Sequence, residues 1–108
     1  MSDHPGFNGD QTIRAGAICT IASGDGKFGA VKVLHVTPFS VHVAIFKNKY
    51  EQRPAGLDIS TLSLGTIYDT DGFGIGHVPL SHEGFTNWQP VVLGFEEVTE
   101  AEEERLDM

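Results

Sequence analysis

The sequence contains one cysteine, no long apolar run and few basic residues, and each of these shortages excludes a class of protein. A lone cysteine, Cys19, cannot form an intramolecular disulfide or a zinc site built from several cysteines. No apolar stretch approaches the roughly 20 residues that a membrane-spanning helix needs. Seven basic residues against fifteen acidic ones give a net charge of −8, which disfavours binding to the phosphate backbone of nucleic acids.

These shortages predict a cytoplasmic protein that does not associate with membranes. The first ten residues are polar and include glycine and proline, so they lack the pattern of a signal peptide. We expect residues 1–12 to form a flexible tail, residues 13–98 a single small β-barrel domain and residues 99–108 an acidic C-terminal helix. The sequence leaves the oligomeric state open.

Glycine is abundant, with 13 in 108 residues, and it separates short strand-like runs. Residues 13–22 and 28–36 alternate in the manner of strands, with Ala17, Cys19 and Ile21 sharing one face of the first. Asp25-Gly26 between these runs favours a tight turn in which both central residues take positive φ. A third run, residues 39–49, is predicted to extend this hairpin into a meander.

The second half of the chain is less regular. Short strands are predicted at residues 66–68, 75–80 and 90–98, and Ser81 is placed to cap one helical turn over residues 81–88. Thr99 and Glu102 have the spacing of a capping box, which predicts the start of the C-terminal helix.

These elements predict an all-β fold with one short C-terminal helix. The architecture we expect is a small antiparallel SH3-like barrel or a strongly bent sheet of five to six strands, with a small sandwich as the alternative.

The histidines and the cysteine are candidate metal-binding or catalytic residues. His35 and His42 lie on neighbouring predicted strands, and two histidines with a carboxylate can bind a metal ion. Because nothing else in the sequence fixes that geometry, we interpret the histidines as separate residues and predict no metal and no cofactor. Cys19 is interpreted as a small buried apolar residue. Asp69-Thr70-Asp71-Gly72 begins like a calcium loop but lacks the later ligands, so we interpret it as a polar turn.

Acidic residues are concentrated near the C-terminus, where residues 96–108 hold seven of the fifteen acids and one of the seven bases. Such a segment predicts a basic protein partner, because complementary charge speeds encounter and selects partners. Exposed aromatic side chains would supply anchors. The predicted partner-binding residues are Glu100, Glu102, Glu103, Glu104, Trp88 and Phe73.

The alternative site is a nucleic-acid patch formed by Lys47, Lys49, Tyr50 and Arg53, where bases would stack on the aromatic ring. The same residues are typical of a charged edge strand that resists aggregation, and we favour that interpretation.

Residues 16–21 (GAICTI) and 25–34 (DGKFGAVKVL) resemble the opening ribbon of a bacterial immunity-protein family encoded beside polymorphic toxins. That family begins with a G-D-x-x-x-I-P strand, a D-G-x-Y/F-G turn and a G-x-V-L strand. This sequence has Ala17 where the pattern prefers an acid, and Ala30 and Lys32 where it prefers Gly and Arg. The resemblance implies a small β-domain that masks a basic toxin or nuclease, and it carries over no toxin-binding residue.

The sequence therefore predicts a non-enzymatic protein-binding module, and the resemblance implies the role of an immunity-type protein. The alternatives are a nucleic-acid-binding SH3-like module and, ranked last, a metal-dependent enzyme, because no acid–base pair or ligand set stands out.

Overall fold

The computed structural model describes residues 11–65 and 74–106. Within these ranges one antiparallel sheet has five strands in the order β4-β3-β2-β1-β5. The strands are β1 (Ala17–Ala22), β2 (Phe28–Val36), β3 (Val41–Tyr50), β4 (Ile75–Leu80) and β5 (Val91–Phe95). The all-β prediction is confirmed. The predicted strand 66–68, the turn at 69–72 and most of the predicted tail lie outside the described residues.

Two short helices and one 3-10 turn accompany the sheet: α1 (His82–Thr86), α2 (Glu100–Arg105) and the turn at Ile59–Thr61. The Ser81 hydroxyl accepts a hydrogen bond from the Gly84 amide at 2.9 Å and so caps α1. Thr99 and Glu102 form the predicted capping box at the start of α2. No helix in the described ranges is long and apolar enough to cross a membrane.

The β1–β2 hairpin is confirmed, but the expectation that Asp25 and Gly26 both take positive φ is wrong. The loop spans residues 23–27 and is closed by a hydrogen bond from the Ser23 amide to the Lys27 carbonyl at 3.0 Å. Gly24 and Gly26 take positive φ, whereas Asp25 between them does not. The Asp25 carboxylate instead accepts from the Lys27 amide at 3.1 Å, so its side chain stabilises a wider loop.

The first strand is shorter than the sequence predicts, because the backbone turns before it. The Ala17 amide donates to the Arg14 carbonyl at 3.0 Å, which closes a turn over residues 14–17. Gly16 has a φ of 95°, and a Cβ there would lie 2.8 Å from the Glu96 carbonyl oxygen. Only glycine fits this position without strain, so β1 begins at Ala17 and not at residue 13.

One face of the sheet carries the main apolar core. Its members come from every strand except β4, with Phe85 of α1 packed over them, and partly buried side chains including Val78 surround them. The buried residues are Ala17, Cys19, Ile21, Val31, Val33, Val41, Val43, Phe85 and Val92. The predicted shared face of Ala17, Cys19 and Ile21 is confirmed.

The opposite face is also buried at its centre. Ile18, Lys32 and Ala44 are register partners across β1, β2 and β3, and all three are buried. A lysine at the middle of a sheet face requires a countercharge, because burying an unpaired ammonium group is very costly. Segments from the C-terminal end of the chain supply that countercharge.

The interpretation of residues 47–53 as part of an edge strand is wrong. β3 lies between β2 and β4, so it is an inner strand of the sheet. Beyond its pairing with β4, the Lys47 amide donates to the Ser63 carbonyl at 2.8 Å, and the Asn48 side chain bonds Thr61 and Ser63. The loop after β3 therefore folds back along the part of the strand that β4 does not reach.

Candidate functional site

Helix α2 is held on the sheet by the buried Lys32 side chain. The Lys32 Nζ donates to Glu102 Oε1 at 2.8 Å, to the Glu97 carbonyl at 2.9 Å and to Glu96 Oε1 at 3.3 Å. All three donor positions of the ammonium group therefore have acceptors. These contacts join the centre of β2 to residues that lie 64 to 70 positions later in the chain.

Glu102 has two roles through one oxygen atom. Its Oε1 accepts from Lys32 Nζ at 2.8 Å and from the Thr99 amide at 2.9 Å, so it both anchors and caps α2. Burial would raise the pKa of the Glu102 carboxyl, but the hydrogen bonds from Lys32 and Thr99 and the Lys32 charge lower it below its ordinary value. Glu102 is thus an ionised structural group.

The remaining glutamates of α2 point away from this anchor. Glu100, Glu103 and Glu104 are exposed, whereas the Glu102 side chain is only 14% exposed. Because the anchor fixes the helix, the backbone positions that carry these three side chains are fixed relative to the sheet. Their carboxylates form the acidic side of a groove.

A row of histidines from three neighbouring strands lies beside the groove, and two of its members, His35 and His42, line it. His35 on β2 and His42 on β3 are register partners, with ring centroids 5.9 Å apart. His42 Nδ1 lies 2.7 Å from His77 Nε2 on β4, and these two rings stack with centroids 5.0 Å apart. We call His35, His42 and His77 the histidine row. The interpretation of the histidines as separate residues is wrong for these three.

A hydrogen-bonded chain continues from the row into the β2–β3 turn. His42 Nε2 lies 2.9 Å from Ser40 Oγ, which lies 2.8 Å from Thr37 Oγ1. The contact between His42 and His77 requires one ring nitrogen to carry a proton and the other to accept it. Burial, then the charges of His77 and His35, lower the pKa of His42. The row therefore favours a neutral His42 near pH 7.

The groove between the row and α2 has a volume of about 500 Å³. It is lined by His35, His42, Glu100, Glu103, Glu104 and Leu106. Both ring nitrogens of His42 already face Ser40 and His77, so the three carboxylates are what make the lining rich in acceptors and negatively charged. Such a groove suits a cationic side chain better than an anionic one.

The two predicted aromatic anchors differ in their outcome. Trp88 is half-buried, and its ring meets the buried Phe85 ring edge-on with centroids 6.2 Å apart. It contributes to the border of the core rather than to the groove. Phe73 lies outside the described residues.

The basic cluster does not gather into one patch. Arg53 Nη1 donates to the Thr20 hydroxyl at 2.8 Å and to the Thr20 carbonyl at 3.2 Å, and its guanidinium lies over the Phe28 ring at 4.9 Å. Lys49 is exposed, whereas Tyr50 and Lys47 are half-buried. Arg53 thus satisfies a buried threonine on the second face of the sheet.

Within residues 11–65 and 74–106, no group of three or more His, Cys, Asp or Glu residues is arranged to hold a metal ion. His82, a fourth histidine, lies apart from the row with its Nε2 2.7 Å from the Thr37 carbonyl. Cys19 is fully buried, and burial raises the pKa of its thiol to about 12, so it is a packing residue as predicted.

Comparison of the chain with protein-family models, with curated proteins and with solved structures finds no significant match. The groove must therefore be interpreted from its own geometry.

The sequence analysis placed His35 and His42 on neighbouring strands but did not predict their contact, and it missed His77 and Lys32. The contact between His35 and His42 could have been predicted, since a hairpin centred on Pro38-Phe39 places the two residues opposite each other. No pattern in the sequence predicts the contact of His77 with His42, because it depends on the pairing of β4 with β3. Lys32 among Ala30 and Leu34 on one predicted strand face was a signal for a buried, paired lysine.

Proposed function

We propose that this protein is a non-enzymatic binding module that docks a basic protein surface against the acidic side of helix α2. The single observation that carries the proposal is that one of the four glutamates of α2 anchors the helix and the other three are exposed. Glu102 anchors the helix to Lys32, and Glu100, Glu103 and Glu104 remain exposed on the anchored helix beside an open groove. A helix that is already docked needs no ordering of its backbone on binding, so its charges contribute more to association than those of a mobile segment.

Charge steering supports the same function. The chain has a net charge of −8, and much of it lies after residue 95. A surface of one sign raises the association rate with an oppositely charged partner in a salt-dependent manner. An immunity-type role, in which the acidic surface masks a basic toxin or nuclease, is the specific form of this proposal.

The proposed module has an SH3-like architecture in the cytoplasm. A sheet in which the last strand returns to pair with the first, as β5 does with β1, supports an SH3-like arrangement. The single thiol of Cys19, which has no cysteine with which to form an intramolecular disulfide, supports a reducing compartment.

The nucleic-acid alternative has less support. Arg53, the strongest phosphate ligand of the four candidate residues, already binds Thr20 and Phe28. The neighbouring Glu51 is 83% exposed and pairs with Lys27 at 3.3 Å, which adds a negative charge to this region. Absence of binding to single- or double-stranded oligonucleotides at low salt would remove this alternative.

The test compares two triple variants that remove the same charge. E100Q/E103Q/E104Q neutralises the groove, and D25N/E51Q/E83Q neutralises three exposed acids that lie outside α2. Association of a fluorescein-labelled hexa-arginine peptide is followed by stopped-flow anisotropy at 20 and 150 mM salt. We expect the groove variant to lower the association rate constant about tenfold at low salt, and the control variant about twofold at most.

Equal effects of the two variants would mean that net charge, and not the groove, attracts the peptide. That result, or an association rate independent of salt, would contradict the proposed function.

A further inference from the structure

The groove places titratable bases directly across from the carboxylates that the proposed function assigns to the partner. His35 and His42 line one side and Glu100, Glu103 and Glu104 line the other, with a space of about 500 Å³ between them. With neutral imidazoles, the negative charge of the carboxylates is available to a ligand. A proton taken up by the row places a cation inside the groove instead.

We propose that a cationic side chain of the partner and a proton on the histidine row compete for the same three carboxylates, so that the protein releases its partner in mildly acidic conditions. This inference rests on the proposed function and specifies both the ligand chemistry of the groove, an arginine or lysine side chain, and its regulation. Histidine is suited to this role because its ordinary pKa of about 6.5 places its charge change just below neutral pH.

The arrangement of the row favours uptake of one proton at a time. The hydrogen bond between His42 and His77 already holds one proton between two ring nitrogens. An additional proton turns the accepting nitrogen into a donor and breaks this bond, and it also repels any charge on His35 at 5.9 Å. The first charge gained by the row therefore opposes the second.

Charged groups from the N-terminal turn and from α2 and the segment before it also surround the row. Arg105 of α2 lies at Gly76 and lines the cavity beside His77. Arg14 and Glu97 line an adjoining cavity together with His35 and Glu103. The Lys32–Glu102 pair is already neutralised internally. The groups that face the row are thus Glu100, Glu103, Glu104, Glu97, Arg14 and Arg105, four acids and two bases.

The first arm of the test measures binding. Affinity for the labelled hexa-arginine peptide is measured by equilibrium anisotropy at pH 7.5 and pH 5.5 at constant ionic strength. Arginine stays charged and exposed glutamates stay ionised over this range, so histidine is the side chain that titrates. We expect the wild-type protein to bind about tenfold more weakly at pH 5.5. H35Q/H42Q should change by no more than about twofold between the two pH values.

Single H35Q, at an exposed position, serves as the milder variant if H35Q/H42Q does not fold. It should retain a pH dependence smaller than that of the wild type. H82Q is the matched histidine control, since His82 lies outside the groove, and it should behave as the wild type.

The second arm needs no ligand. NMR titration of the histidine Cε1–Hε1 signals gives the midpoint pH of each ring. We expect E103Q/E104Q to lower the midpoints of His35 and His42 by about 0.3 to 0.5 pH units, since carboxylates favour a nearby positive charge, and E83Q to leave them unchanged.

The outcomes separate the two proposals. No peptide binding at pH 7.5 would contradict the proposed function and the competition together. Equally strong binding at both pH values, or histidine midpoints that are unchanged in E103Q/E104Q, would contradict the competition alone. The competition would be established if the wild type binds more weakly at pH 5.5, H35Q/H42Q removes this difference between the two pH values, and E103Q/E104Q shifts the histidine midpoints.

Discussion

The buried Lys32–Glu102 pair gives the sharpest quantitative prediction. Removing one partner of a fully buried ion pair costs about 3–5 kcal/mol, because the other charge is left uncompensated. Here the Lys32 side chain is 1% exposed, but Glu102 keeps 14% exposure and Lys32 keeps the Glu97 carbonyl and Glu96 as acceptors. We therefore expect E102Q to lower the free energy of unfolding by about 2 kcal/mol.

The design of this substitution isolates the charge. Glutamine retains an oxygen that can accept from Lys32 and from the Thr99 amide, so the capping box survives. K32M removes the other charge and leaves Glu102 near solvent, so it should cost no more than about 1 kcal/mol. E104Q, at an exposed position on the same helix, should stay within about 0.5 kcal/mol of the wild type.

Urea denaturation followed by Trp88 fluorescence measures these differences.

The contribution of the Lys32–Glu102 pair to stability should also depend on pH. Because the pKa of Glu102 is lowered in the folded protein, its contribution is present above its ordinary value of 4.5 and is lost as the pH falls below it. E102Q should lack this component. Equal stability of E102Q and E104Q would refute the assignment of Lys32 and Glu102 as the anchor of α2, and a larger loss in K32M than in E102Q would contradict the desolvation argument.

Three further predictions follow from side chains whose partners are defined. R53Q removes the bonds to Thr20 and the contact with Phe28, and should lower the free energy of unfolding by about 1–2 kcal/mol in the same denaturation assay. Unchanged stability would mean that this guanidinium is free for another ligand. Cys19 should resist a thiol reagent such as DTNB in the native protein and react fully in urea, because burial raises its pKa to about 12. Rapid native labelling would contradict its burial. The lowered pKa of His42 means that the folded state binds fewer protons there, so its contribution to stability is present above pH 6.5 and is lost as the pH falls from that value towards the lowered pKa. H42Q should flatten the dependence of stability on pH between 7 and 5, and an unchanged slope would contradict the shift.

Much of the fold could be predicted because its signals are local. Alternation along β1 identified the buried face of Ala17, Cys19 and Ile21, since successive strand residues point to opposite sides. The caps at Ser81 and Thr99 were predictable because a side-chain oxygen there reaches an amide only three residues later. The hairpin turn was only partly predictable, because Asp25-Gly26 fits more than one loop and Gly24 decides between them.

The candidate site was predictable only in part. The sequence by itself determined that the C-terminal end is acidic, that its helix starts at Thr99 and that His35 and His42 lie on neighbouring strands. It could not assign different roles to four neighbouring glutamates, since their local sequence is nearly uniform.

Only the tertiary structure decided those roles. The pairing of β4 with β3 brought His77 to His42 across 35 residues, and the burial of Lys32 selected Glu102 as its partner across 70. The physical reason is that a buried charge is stable only with a countercharge beside it, and the position of that countercharge depends on how distant segments pack. Composition therefore set the sign of this surface, and long-range packing determined which of its charges remain free to bind.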